Sequence, residues 1–266
     1  MIPRHMGKPA RGFSVIELIA ALAVTGIIAM GLMLWMSRPL LALQEAHARA
    51  AAIDQAERVT ASLHRELPAA LPNSLRIACG GRCLEFIPVV DYGDYRIEVP
   101  GDFLEFAAAD DRFDVLTPLD NAPVAGLQVV INNQNALSSG SLSAYSADIN
   151  SNRASIVAGT TGAQIRTTPK QFPAPSPAQR FFVVDGPVSY LCAPAASGGS
   201  LRRQGNYAIQ SAQPTDTSLG DRLAGSVLAC EFSLAQPDLL TLRLTVGGGA
   251  SEPVYFVTQV RAGMKP

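Results

Sequence analysis

Histidine is confined to the start of the chain: His5, His47 and His64 are the full complement, and nothing from residue 65 onward carries an imidazole. A Ser-His-Asp or Cys-His site, or a zinc site using imidazole, would have to reach back to a helical segment near the amino terminus. Lysine occurs only at Lys8, Lys170 and Lys265, so a Ser-Lys dyad has only a proline-rich stretch or the next-to-last residue to draw on. The chain is therefore expected not to be an enzyme, and to need no cofactor and no metal. Charged residues make up 16% of the chain, against a usual value of about 25%. Lys+Arg 21 against Asp+Glu 22 leaves a formal charge of -1, so no global field draws the chain to nucleic acid. Aromatics are 6%, and the one tryptophan, Trp35, lies in an apolar run, which weakens a sugar-binding platform. Gly 22 and Pro 19 follow no period, which excludes collagen-like and repeat architectures.

What is present begins with a basic stretch. Residues 1–12 hold Arg4, Lys8 and Arg11 and no acid, and Phe13 to Met36 follows with Glu17 as its only charge. As a helix this run is ~36 Å long, against ~30 Å of bilayer hydrocarbon. The basic residues in front place the amino end in the cytoplasm and the bulk of the chain outside. A cleaved secretory signal is the first competing reading, because Ala46-His47-Ala48 has the small-x-small form. The uncharged run, however, exceeds the roughly 7 to 15 residues of an ordinary signal core, and Ala46-His47-Ala48 lies well past its end. A plain anchor is the second, and it has no use for Glu17, which costs on the order of 2.5 to 3.5 kcal/mol at mid-bilayer and less near an end.

Residues 37–67 turn amphipathic. Ala46, Ala50, Ile53, Ala56, Thr60, Leu63 and Leu67 recur at three- and four-residue spacing and predict a stripe that lies on a sheet, with Asp54 and Arg58 paired at i, i+4 and Pro68 ending the helix. Residues 68–266 read as a β-rich head. Leu84 to Val90 and Tyr95 to Val99 flank a turn at Asp91-Tyr92-Gly93-Asp94, with Phe103 to Phe106 following. Phe181 to Val184 and Val188 to Cys192 predict a hairpin over Asp185-Gly186-Pro187; Leu240 to Val246 and Val254 to Arg261 predict another over Gly247-Gly248-Gly249. Residues 132–168 read as a surface excursion anchored by Tyr145, Ile149, Ile156 and Val157, before a proline-rich connector. The fold class expected is thus α+β, a long amino-terminal helix packed on an antiparallel sheet.

Cys79, Cys83, Cys192 and Cys230 all lie in the head, outside the cytoplasm, where an even count suggests two disulfides. Of three pairings, Cys79 with Cys83 is favoured because Gly80 and Gly81 permit tight closure, leaving Cys192 with Cys230; a four-thiolate zinc site is the alternative. Asp110, Asp111 and Asp114, with Asp120 and Asn121, match no EF-hand spacing and read as a solvated acidic turn. Arg202-Arg203 reads as another solvated turn.

Gly12-Phe13-Ser14-Val15-Ile16-Glu17-Leu18 resembles the prepilin peptidase site of type IV pilins and type II secretion pseudopilins. The resemblance implies cleavage between Gly12 and Phe13, methylation of the new Phe13 amine, and a Glu17 carboxylate that compensates a subunit's amino-terminal charge during filament assembly. Phe13 and Glu17 share one helical face at i, i+4, which suits such pairing. The segments Ala70 to Arg76, Cys83 to Pro88 and Arg180 to Cys192 are similar to the MshO group of minor pilins of mannose-sensitive haemagglutinin-type pili. That resemblance implies a low-abundance subunit that initiates or caps a pilus by packing. Its partners would be prepilin peptidase, other major and minor pilins, the inner-membrane assembly platform and membrane lipid, with no nucleic acid. The implied location is the inner membrane, single-pass, with a periplasmic head, and then the surface pilus. The domain organisation expected is leader 1–12, membrane half-helix 13–36, amphipathic helix 37–67 and head 68–266. A large pseudopilin of a type II secretion system and a membrane-anchored adhesin or carbohydrate-binding module are the alternatives.

Overall fold

The computed structural model describes residues 12–149, 151–247 and 252–263. Most of the expected leader, residues 1–11, and Gly248 and Gly249 of the expected glycine turn lie outside the described residues. The chain divides into two compact units, Met1–Ala48 and Arg49–Pro266. One helix, α1 (Val15–Glu66), enters both, and a short 3-10 turn at Leu67–Ala69 ends it where Pro68 can no longer donate a helical hydrogen bond.

Beyond the helix, the paired strands of the second unit are all antiparallel. Its strands are β1 (Arg76–Ala78), β2 (Cys83–Phe86), β3 (Val89–Asp94), β4 (Asp110–Asp114), β5 (Gln128–Ile131), β6 (Arg153–Ser155) and β7 (Gln164–Lys170). Then come β8 (Arg180–Val184), β9 (Val188–Ala193), β10 (Ser200–Gln204), β11 (Asp221–Gly225), β12 (Val227–Gln236), β13 (Leu239–Val246) and β14 (Val254–Arg261). The general α+β class, with an apolar amino-terminal helix and antiparallel sheets, is therefore present.

Two lobes share this unit. In the first, the sheets β1-β2-β9-β10-β11 and β12-β13-β14 pack with α1 around one core. The alternation of Leu240, Leu242, Leu244 and Val246 with polar residues places one face of β13 inward, and β14 returns beside it with Val246 opposite Val254. The helix contributes Ala52, Ala56, Val59, Leu63 and Leu67. The buried arc is thus turned from the expected stripe: Ala46 and Ala50 are exposed, Ile53 is 36% exposed, and Thr60 is half-buried. The buried positions 52, 56, 59, 63 and 67 follow one another at three- and four-residue spacing and form a single face of the helix.

The second lobe is a small closed barrel. The order β3-β8-β5-β6 forms one sheet and β4-β7 another, while a bridge from Ile156 to Thr167 joins β6 to β7. A bridge from Tyr95 to Val115, with the Arg96 N–H donating to the Asp114 carbonyl at 3.0 Å, joins β3 to β4 and completes the ring. Inside sit Tyr95, Phe113, Val129, Ile131, Ile165, Phe172, Phe181 and Val183. Closure removes the free edges that six short strands would otherwise expose.

Residues 89–184 thus form an insertion whose ends leave side by side, Val89 opposite Val184, directly beyond the pairing of Phe86 with Val188. The expected hairpin from Phe181 to Cys192 is therefore not one. β8 belongs to the barrel and β9 to the five-stranded sheet, and Gly186-Pro187 marks the passage between them. A Cβ on Gly186 would lie 2.2 Å from the Tyr207 carbonyl oxygen, so glycine serves close approach here. Likewise Asp91 to Asp94 is not a turn but part of β3, where a Cβ on Gly93 would stand 3.0 Å from the Phe181 ring. Residues 96–99 and 103–106 are irregular, and of the expected anchors Tyr145 and Ile156 are buried while Ile149 is exposed.

Candidate functional site

In the first unit, Gly12, Phe13 and Ser14 precede the helix and are exposed, Phe13 by 81%. The Ser14 hydroxyl accepts the Ile16 N–H at 3.2 Å, and the Ser14 carbonyl accepts the N–H groups of Glu17 at 3.0 Å and Leu18 at 3.2 Å. Ser14 is thus the N-cap, and Ser14-Val15-Ile16-Glu17 has the Ser-x-x-Glu form of a capping box. That signal was legible in the sequence, and it adds a local reason for an acid at position 17. A carboxylate in the first turn gains about 0.3–1 kcal/mol from the positive end of the helix dipole. The segment Val15–Met33 follows, with a mean hydropathy of 2.3 and none of it buried within the protein, long and apolar enough to span a membrane. Inside it the Thr25 hydroxyl is satisfied by the Ala21 carbonyl at 2.7 Å.

In the second unit, the carboxyl end of α1 is tied to the head by polar contacts as well as by its apolar arc. Arg203 Nε donates to both carboxylate oxygens of Glu66, at 3.0 and 2.9 Å. Ser62 Oγ donates to the same carboxylate at 3.1 Å and accepts from the Tyr190 hydroxyl at 2.9 Å. Burial pushes the Tyr190 phenol well up, so it remains the donor at any ordinary pH. Two turns before Ser62, Gln55 Oε1 accepts the Gly225 N–H at 2.6 Å. Arg203 is therefore not a solvated turn residue: it sits in β10, and Arg202 beside it donates to the Gly220 carbonyl at 2.9 Å. No sequence spacing joins Glu66 to Arg203, so pairing them took the fold. The Asp54–Arg58 pair forms on the exposed side of the helix. His47 and His64 are both exposed, with His64 Nε2 3.3 Å from the Thr258 hydroxyl.

A second polar group lies between β1, β2 and β9. Arg76 Nη2 donates to Glu85 Oε1 at 2.7 Å, with the Glu85 side chain fully buried. Arg76 also reaches the Ser211 carbonyl at 2.7 Å and stacks over the Tyr145 ring at 3.7 Å. Ser189 Oγ stands 3.4 Å from Glu85 Oε2 and 2.6 Å from the Tyr207 hydroxyl. Burial raises the Glu85 carboxyl above its usual range, and Arg76 pulls it only part of the way back. With its donors committed in this way, the cluster joins the barrel lobe's Tyr145 to the helix-bearing lobe.

The cysteines form two disulfides, Cys79–Cys83 and Cys192–Cys230, with Cα separations of 5.5 and 6.7 Å. The first closes a tight loop in which Cys79, Gly80 and Gly81 all have positive φ, as the glycines allow. The second ties β9 to β12, and so the five-stranded sheet to the three-stranded one. Asp110, Asp111 and Asp114 lie in β4 rather than in a turn. Asp110 accepts the N–H groups of Glu105 and Asp111, Asp111 accepts from Arg112, and Asp114 accepts from Asp102 and Gln164. Asp120 and Asn121 are exposed beyond it, and among the described residues no group of three or more His, Cys, Asp or Glu is placed to hold a metal ion.

Comparison with protein-family models, with curated proteins and with solved structures gave no match to this chain.

Proposed function

We propose that the protein is a membrane-anchored minor pilin of a mannose-sensitive haemagglutinin-type type IV pilus, acting in initiation or capping by subunit packing and not by catalysis. The observation that carries the reading is the register of Gly12, Phe13 and Glu17 at the start of a 52-residue helix whose first turns are apolar and whose last turns are fastened to a folded head. In this reading prepilin peptidase cuts between Gly12 and Phe13, and the new amine is methylated. The amino end then lies on the cytoplasmic side, with the head in the periplasm until assembly brings it to the surface.

Glu17 has two uses here. In the free subunit it sits at the helix amino terminus, where the dipole favours it; in the filament its charge offsets the amino group of Phe13 on its own or a neighbouring subunit. The Glu66–Arg203 contact and the apolar arc would pass force between head and helix, as a packed subunit requires. Partners in this reading are the peptidase, other pilins, the assembly platform and lipid.

Intact-mass and amino-terminal analysis of protein from membranes, with and without prepilin peptidase, tests the proposal. A peptidase-dependent start at methylated Phe13 is expected; a start at Arg49 would overturn it. Deletion is expected to lower the number of surface pili. Unchanged piliation with lost protein secretion would assign the chain instead to the large pseudopilins of a type II secretion system.

A further inference from the structure

The bridge between Ile156 and Thr167, and the Val157 N–H donating to the Arg166 carbonyl at 3.0 Å, set the antiparallel register of β6 against β7. At the end of β7 the Lys170 ammonium reaches the chain just before β6, donating to the Ile149 carbonyl and standing 3.5 Å from Ser151 Oγ, two residues from Arg153. Arg153 alternates with the inward Ala154 and so stands on the outer face of the barrel, where the end of β7 also comes to the surface with Thr168 and Pro169 exposed. Like charges close enough to act on one another repel, and both of these are half-buried, where repulsion is least screened.

Among the described residues neither cation has a carboxylate within 4.0 Å. Asp110 faces Lys170 from β4, but its carboxylate is taken by the N–H groups of Glu105, Asp111 and Arg112. Arg153 donates to Gln128 Oε1 at 2.9 Å and to the Ser146 carbonyl at 3.5 Å, while its Nε is shielded from solvent without a partner. Lys170 reaches the Ile149 carbonyl, and Ser151 Oγ at 3.5 Å. All four acceptors are neutral, so two positive charges share one face with no counter-charge, and each keeps N–H groups to spare. Burial and the neighbouring Arg153 both lower the pKa of Lys170, as expected of a cation short of an anion.

We infer that Arg153 and Lys170 form an oxyanion site on the outer face of the barrel, taking the chemistry shared by carboxylate, sulfate and phosphate, with the Ser151 hydroxyl as a further donor. Two cations set across neighbouring strands suit an anion with two or more oxygens better than a halide. Holding such a group would turn a repulsive pair into a bridged one and fasten the chain before β6 to the end of β7. The inference is independent of the pilin reading.

Full-length protein in detergent micelles would be titrated with sodium sulfate, phosphate and acetate, each against chloride at matched ionic strength, and followed by thermal unfolding. A saturable rise in Tm with at least one oxyanion, absent with chloride, is expected, and the ranking of the three shows which oxygen geometry is preferred. In Arg153→Gln and Lys170→Gln the saturable part should vanish, while in Arg202→Gln, remote on β10, it should persist. A second readout separates binding from simple fastening of the loop: without oxyanion, Lys170→Gln should melt no lower than wild type, because it relieves repulsion. A non-saturable rise equal in all variants would overturn the inference, as would a lower Tm for Lys170→Gln in chloride. Where a glutamine variant fails to fold, Lys170→Arg, which keeps the charge, must retain the saturable response.

Discussion

Leu63 is the residue at which the packing of helix on head is most directly tested. Its side chain is fully buried among Ala56, Val59, Leu67 and the apolar faces of the two sheets. Leu63→Ala removes the transfer energy of the lost carbons and leaves a cavity that rigid sheet neighbours cannot fill, together about 3 kcal/mol within the usual range of 2–5. For a folded unit of this size each kcal/mol moves Tm by roughly 2–4 °C, so a fall of roughly 6–12 °C is expected. Ile53 supplies the contrast. It is larger in side-chain reach than its helical neighbour Ala52, belongs to the stripe that the sequence predicts, and is 36% exposed in the structure. Ile53→Ala should therefore cost less than ~1 kcal/mol, or under ~4 °C. Thermal unfolding of the two full-length variants in micelles, followed by near-ultraviolet circular dichroism, decides the matter. Equal losses would mean that the buried arc is centred on Ile53 and that the orientation of α1 on the sheets is wrong. On the proposed function Ile53 faces other subunits, so Ile53→Ala should lower pilus number while leaving Tm nearly unchanged.

The Glu66–Arg203 contact is partly exposed, at 15% and 33%, so a double-mutant cycle with Glu66→Gln and Arg203→Gln should give a coupling of about 1 kcal/mol, less than a fully buried pair; a coupling indistinguishable from zero would remove it as a fastening of helix to head. Glu85 has its carboxyl pKa raised by burial above 4.5, so its contribution to stability is complete below that pH and drains away as pH rises through the higher folded value. Glu85→Gln, which mimics the protonated acid, escapes that drain, and urea unfolding across this window should show the variant gaining on wild type as pH rises; a variant that loses ground with rising pH would contradict the sign. Loop closure gives the disulfides unequal weight: with a sequence separation of 38 from Cys192 to Cys230 and of 4 from Cys79 to Cys83, paired serine substitutions should cost about 4 and about 2 kcal/mol in chemical unfolding, and the reverse order would refute the chain-entropy account.

Much of this molecule was legible in the residues. The apolar run with its single acid, the amphipathic stretch stopped by Pro68, the β-rich head, the returning strands at Leu240 and Val254, and the favoured cysteine pairing all follow from local signals: hydropathy, periodicity, proline chemistry and the reach of a short glycine loop. Contacts between distant neighbours leave no such signal. Gly93 and Gly186 read as turn residues, glycine's commonest use, but here glycine makes room for the Phe181 ring and the Tyr207 carbonyl. Phe181 to Cys192 has the look of a hairpin, yet its halves pair with strands about a hundred residues earlier in the chain, and only that long-range pairing makes residues 89–184 an inserted barrel.

Local residue patterns suffice to set the helix, its membrane-length apolar half and the chemistry available at Gly12, Phe13 and Glu17, because these depend on residues within a few turns of one another. Long-range packing sets which arc of α1 is buried, that Glu66 meets Arg203, that Arg76 and Glu85 are sealed beneath Tyr145, and that Lys170 reaches Ser151 beside Arg153. Each depends on strand register and lobe packing, which sum many weak contacts between distant residues and leave no mark at any one position.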